Sequence, residues 1–376
     1  MNLQFSKKDT NIVKGVAIIA MLFHHCYVTG VKFKAHGVSF APFSRDTVVT
    51  LALWSKVCVG IFVFLSAYGI ALSLKRLYDN RQYGRETLSW LVIRRIWKIL
   101  GSFWPVFVLA VLGCAIWAPE SFSVYKGGFS RLVYVVIDFL GLAHLFDTPT
   151  LLGTWWYLSL AFVEVMLLPL LYWLYRRCGA FVTIALSYLL PMALSLEETN
   201  LVRYLPAMVL GIWFAEEDLF PRLAAWRLPR MGEAVTRVIE LIVLAVCLAG
   251  TVWLKTSAFG KAHLSITDSV TPLLVIVFTY LFLAGIPLLK EVLALLGKYS
   301  MNMFLFHNFI RARWFEDFSY SFRFWWLIVL VLLLDSFVFS VALEWVKKAL
   351  RYDRLTAAVE TRLQSLTAGG GREKEV

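Results

Sequence analysis

Long apolar runs alternate with short polar segments along nearly the whole chain. About ten of these runs are long enough to cross a bilayer, since a spanning helix needs roughly 20 mostly apolar residues. They lie near 11–29, 48–74, 96–117, 152–175, 179–196, 201–219, 237–254, 268–289, 293–312 and 324–346. Lysines and arginines gather in alternate connections. Lys7 and Lys8 precede the first run, and Lys75, Arg76, Arg94, Arg95 and Lys98 lie between the second and third. Arg176 and Arg177 follow the fourth, Arg222, Arg227 and Arg230 follow the sixth, and Lys347, Lys348, Arg351 and Arg354 follow the tenth. Both termini in the cytoplasm would put all of these on the inner side, the positive-inside pattern. The outer connections carry less charge. Their densest cluster, Arg311, Arg313 and Arg323, is either structural or a meeting point for an anionic substrate.

The apolar stretch 132–146 is too short to span and contains Asp138 and His144. It is expected to lie at the outer interface or to re-enter from it. After Thr356 the chain turns polar. The expected organisation is an all-α, polytopic transmembrane helix bundle over residues 1–356, in a cell membrane, followed by a disordered cytoplasmic tail over 357–376.

Composition narrows the class. The 376 residues are 60% hydrophobic and only 16% charged, where a soluble domain carries about 25% charged residues. No sizeable soluble domain fits in such a chain. The net charge of +12 belongs to topology-setting cations that face anionic lipid, so it is no sign of a nucleic-acid partner. The five cysteines are scattered, with no CxxC and no His/Cys metal spacing. Structural thiols are expected, and no metal. The first run holds two histidines and no small-residue cleavage site, and reads as a retained helix.

Polar groups inside the runs are the candidate chemistry, because an ionisable group at membrane depth is costly and marks function by default. His24 and His25 sit side by side in the first run. On a helix they point about 100° apart, so only one can face a narrow cavity. Lys14 lies eleven residues before His25, roughly 16 Å away along a helix axis. Histidine is the side chain best suited to exchange a proton near neutral pH. Arg94, Arg95 and Lys98 open the third run, and Arg95 and Lys98 share a helix face. Such cations suit a polyphosphate, although snorkelling alone explains many clusters of this kind. Segment 60–69 is rich in small residues, which favours close helix approach, and it carries Ser66. Trp155, Trp156 and Tyr157 form either an aromatic belt or a sugar-stacking surface. Glu164 follows them within the fourth run, where a carboxylate needs a partner or a role. His307 lies in the ninth run and Arg203 in the sixth.

In this order the segments resemble the acyltransferase 3 family of integral membrane acyltransferases. Lys14 stands where the family's opening helix has an arginine, with His25 matching the histidine eleven residues on. The Ser66 segment is similar to the family's Phe-Phe-x-Leu-Ser-Gly-Phe, with Ala67 in place of glycine. Arg95 and Lys98 match its paired-arginine element. Trp156, Tyr157, Leu158 and Glu164 match its Trp-x-Leu…Glu element. Segment 297–307 matches Gly-x-x-Ser-Tyr…Leu-x-His, with Met301 in place of tyrosine. The resemblance covers the chain to about Val346.

The resemblance implies transfer of an acyl group, often acetyl from acetyl-CoA, onto a hydroxyl of a cell-envelope glycan or lipid-linked sugar, with no permanently bound cofactor. It implies His25, Lys14 and Glu164 as catalytic residues. Arg94, Arg95, Lys98 and Ser66 would then serve the CoA donor, and Trp155, Trp156, Tyr157, His307 and Arg203 the acceptor. The competing expectation is a proton-coupled transporter or flippase for a sugar or lipid, which intramembrane His, Glu and Asp335 would also suit. Against it, no two halves with matched broken helices are visible.

Overall fold

The computed structural model describes residues 5–194 and 199–369. Among them the chain is helical and holds no strand. The helices are α1 (Lys7–Tyr27), α2 (Gly30–Ala35), α3 (Arg45–Trp54), α4 (Val57–Asp79), α5 (Arg85–Trp117), α6 (Gly128–Phe139), α7 (Trp156–Ala193) and α8 (Asn200–Glu216). There follow α9 (Leu219–Ala225), α10 (Glu233–Thr256), α11 (Ala258–Ala262), α12 (Leu264–Leu281), α13 (Pro287–Phe309), α14 (Glu316–Ser321), α15 (Trp325–Ala349) and α16 (Tyr352–Gly369).

Among the described residues, six helical segments are long and apolar enough to cross a membrane: Arg45–Asp79, Arg85–Trp117, Gly153–Ala193, Glu233–Thr256, Leu264–Gly285 and Trp325–Ala349. The chain is a multi-pass membrane protein. Apolar side chains face outward where lipid would lie, as at Val238, Ile242 and Val246 on α10 and Leu334 and Val338 on α15. Length and apolarity alone do not reach the expected count of about ten, and the reasons are physical. The fourth and fifth runs form one helix, α7, which breaks at Gly179, where φ is 80°; the last two residues of the fifth run lie outside the described residues. α8 has only 17 residues. α1 is interrupted by Lys14, His24 and His25, and α13 by Lys290, Glu291, Lys298, Asn302 and His307. α6, at 12 residues, rises about 18 Å and is too short to cross.

The helices sort into two compact units. The first comprises residues 1–20, 54–80 and 167–298. Its centre is α4 packed on α8 and α12, and backbone-close contacts set the spacing. A Cβ on Gly60 would stand 2.5 Å from the Asp268 carbonyl oxygen, and one on Gly211 2.8 Å from that of Phe64. Gly15 and Gly297 do the same for the first halves of α1 and α13, lying against the backbones of Leu293 and Asn11. Small residues are what such approach requires. Lys75 donates to the Ala215 and Glu216 carbonyls at 3.1 and 2.8 Å, closing the C-terminal end of α8 with a cation, where the helix dipole favours one.

The second unit comprises residues 21–53, 81–166 and 299–376. It gathers α5, α14, α15 and α16 around the end of α13, which continues as a π-helical turn, Ile310–Trp314. Gly113 on α5 admits the Trp314 ring; any Cβ there would overlap it. The expected disordered tail is corrected here: residues 357–369 belong to α16, while 370–376 lie outside the described residues. Its half-buried positions, Tyr352, Thr356, Val359, Glu360, Leu363 and Thr367, recur at helical spacing. That stripe lies on α5, with Trp97 Nε1 donating to the Thr356 carbonyl at 3.1 Å and Tyr352 OH to that of Gly101 at 3.0 Å.

Candidate active site

Three histidines form a row inside the second unit. His24 is buried, and its Nδ1 donates to the Ala52 carbonyl at 2.7 Å. The His25 ring is half-buried, with its centroid 5.0 Å from that of His24 and 4.9 Å from that of His307. His307 is fully buried, and its Nδ1 donates to the Phe304 carbonyl at 2.7 Å. A carbonyl can only accept, so this bond keeps the proton on Nδ1 and leaves Nε2 with a lone pair. Nε2 has no hydrogen-bond partner among the described residues. A buried acceptor left open beside a second imidazole is a place where a hydroxyl can bind.

The surroundings hold α13 in place. Trp155 Nε1 donates to the Leu305 carbonyl at 3.3 Å. Tyr157 meets the Phe304 ring edge-on at 5.6 Å. Glu164 is fully buried on α7, which also carries Tyr157. One turn beyond His307, Arg311 is 7% exposed. Its Nε donates to Asn308 Oδ1 at 3.0 Å and one terminal nitrogen to Tyr320 OH at 2.8 Å. Tyr320 OH donates in turn to the Cys26 carbonyl at 3.1 Å, next to His25.

The family model described as an acyltransferase domain matches residues 8–345, nearly the whole chain. The chain belongs to the acyltransferase 3 family. Searches of curated proteins and of solved structures found no match. Membership bears on the activities that hydropathy left open: the protein is an acyltransferase.

The other expected site residues of this acyltransferase fall in several places. Arg94, Arg95 and Lys98 lie on α5 in the second unit, and Arg94 Nε is held by Glu360 of α16 at 2.5 Å. Lys14 is half-buried on the first half of α1, in the first unit, and Ser66 is half-buried on α4. Arg203 is also in the first unit, ion-paired with the buried Asp268, which Lys255 binds at 2.8 Å from the other side. That pairing gives Arg203 a structural partner of its own. Trp155 is 3% exposed and packs edge-on against Phe103 at 4.8 Å. It therefore acts as core, with no open face for a pyranose ring, whereas Trp156 and Tyr157 are half-buried.

Two features were not anticipated from the sequence. One is the α16 clasp on the α5 cations. The other is the pairing of α2 with α14, where Lys32 binds Glu316 and His36 Nε2 lies 3.0 Å from Asp317 Oδ1. His36 Nδ1 also meets the Lys32 carbonyl at 2.9 Å. That backbone bond and the Asp317 carboxylate raise the His36 pKa above its ordinary value. The spacing of Lys32 from His36 at i, i+4, facing the Glu316-Asp317 pair, was the available signal.

Proposed function

We propose that this acyltransferase moves an acyl group, acetyl in the simplest case, from acyl-CoA to a hydroxyl of a cell-envelope glycan or lipid-linked sugar. The observation that carries the proposal is the His25–His307 pair, with His307 Nε2 left as an open acceptor in a buried site. A second support is the group of cations on α5, whose charge suits the phosphates of CoA.

In this reading His307 Nε2 accepts a hydrogen bond that steers the acceptor, and His25 takes the proton of the attacking hydroxyl. The oxygen then bonds to the thioester carbonyl carbon, and the carbonyl electrons move onto oxygen. Collapse of that intermediate breaks the C–S bond and releases the CoA thiolate. His25 returns its proton to the sulfur, leaving an acyl ester and free CoA. His24 does not take part, because its Nδ1 is committed to Ala52. Arg95 and Lys98, joined by Arg94 once it leaves Glu360, hold the donor phosphates.

The test is purified protein in lipid nanodiscs, given labelled acetyl-CoA and envelope glycan extract. Label in an alkali-labile ester, lost in His25→Ala, is the expected result. Intact acetyl-CoA with every acceptor fraction would overturn the proposal.

A further inference from the structure

Among the described residues, Arg311 stands beside the histidine row with no acid in ion-pair contact. It is 7% exposed, and both of its hydrogen-bond partners, Asn308 and Tyr320, are neutral. The nearest acids in sequence are Glu316 and Asp317 on α14. These are the partners that would make Arg311 an ordinary structural cation, and both are engaged elsewhere. Glu316 binds Lys32 and Asp317 binds His36. Among the described residues no carboxylate pairs with Arg311. A buried cation lacking a counter-charge is expensive, and inside a membrane protein it marks a ligand path.

Geometry says which ligand. Arg311 follows His307 by one turn, on a π-helical stretch. Such single turns are over-represented at functional sites because they shift side chains off the regular helical face. Tyr320 links Arg311 to the Cys26 carbonyl, so the guanidinium is tied to the helix end that carries His25. In the orientation set by the charge bias, α13 runs outward, and Arg311 stands on the outer side of the histidines. The donor cations of α5 stand on the inner side. A negative charge arriving at Arg311 is therefore on the acceptor and not on CoA. The guanidinium fork suits a carboxylate or a phosphate oxygen pair.

We propose that Arg311 anchors an anionic group of the acceptor, and that the natural acceptor is an acidic glycan bearing a carboxylate or phosphate near the acylated hydroxyl. This rests on the transferase reading above. His307 Nε2 and Arg311 would then hold two points of one acceptor, a hydroxyl and an anion, which fixes the hydroxyl presented to His25.

The test uses the full chain in nanodiscs, labelled acetyl-CoA and total envelope glycan extract; the glycan is freed of unreacted acetyl-CoA by size and then separated by anion exchange. Label retained on the exchanger is expected, and label confined to the neutral fraction would overturn the proposal. Retained label that becomes neutral after phosphatase treatment identifies a phosphate monoester; label that stays retained after both phosphatase and phosphodiesterase treatment identifies a carboxylate. With the retained acceptor purified, Arg311→Gln should raise its KM about 100-fold, the usual scale for removing one partner of a buried charge pair, while kcat changes little. Arg311→Lys should recover part of that loss. A fall in kcat with acceptor KM unmoved in both variants would assign Arg311 to scaffold support and overturn the proposal. No consumption of acetyl-CoA by the wild-type protein would instead sink the transferase reading itself.

Discussion

Removing the Glu360 carboxylate tests the proposed donor site on α5 at a position that touches no reacting group. In the structure Glu360 holds Arg94 at 2.5 Å, with side-chain exposures of 26% and 50%. A pair this open to water is worth about 0.2–1 kcal/mol. If Arg94 must leave Glu360 to meet a CoA phosphate, that energy opposes donor binding. At RT of about 0.59 kcal/mol, Glu360→Gln should tighten CoA binding by about 1.4- to 5-fold. The carboxylate also repels the incoming phosphates, so the gain should be larger at low ionic strength, where screening is weak, and should shrink toward 0.15 M salt. Calorimetric titration of CoA into wild-type protein and Glu360→Gln in nanodiscs, at two salt concentrations, reads both effects. Arg95→Ala, titrated alongside, should weaken binding. Unchanged or weaker CoA affinity in Glu360→Gln at low salt would refute the reasoning and return Arg94 to a purely structural pairing.

His25→Ala should lower turnover by about 10²- to 10⁴-fold, the range for loss of a general base, whereas His24→Ala should chiefly lower the melting temperature through loss of its bond to Ala52; full activity in His25→Ala would contradict this. Gly297→Ala forces a methyl onto the Asn11 backbone and should destabilise by about 1–3 kcal/mol or more, the scale of overpacking, with a lower melting temperature as the readout. The His36 contact gives a pH signature. Its pKa is raised in the folded state, so its contribution to stability is fully present below the ordinary value near 6.5 and is lost as pH rises through the raised value. His36→Gln should flatten the wild-type slope of melting temperature across that window, and an unaltered slope would refute it.

Much of the architecture was legible because burial in lipid leaves little choice. Runs such as those that became α5, α10 and α15 can only be helices in a bilayer, where every backbone polar group must be satisfied within the segment. The span count is where length and apolarity alone fall short: in α1 and α13, which hold the proposed site residues, Lys14, His25 and His307 dilute the apolarity by which a span is recognised. The pairing of His25 with His307 was out of reach of spacing arguments, because 281 positions separate them and only the packing of α1 and α13 within the second unit joins their rings. Trp155 misled for a related reason. An indole before a span can face a sugar, lipid or core, and it is the Leu305 carbonyl that decides for core. α16 escaped notice because its composition is polar, and only the period of its half-buried positions betrays a packed helix.

The two ends of the histidine row govern how it handles a proton. An imidazole passes a proton through a membrane only by taking it at one ring nitrogen and releasing it from the other. At one end of the row, Nδ1 of His24 is tied to the Ala52 carbonyl; at the other, Nδ1 of His307 is tied to that of Phe304. A proton that reaches His25 finds neither of these Nδ1 atoms free to pass it on, so the geometry suits holding a proton for the length of a chemical step better than conducting one along the row.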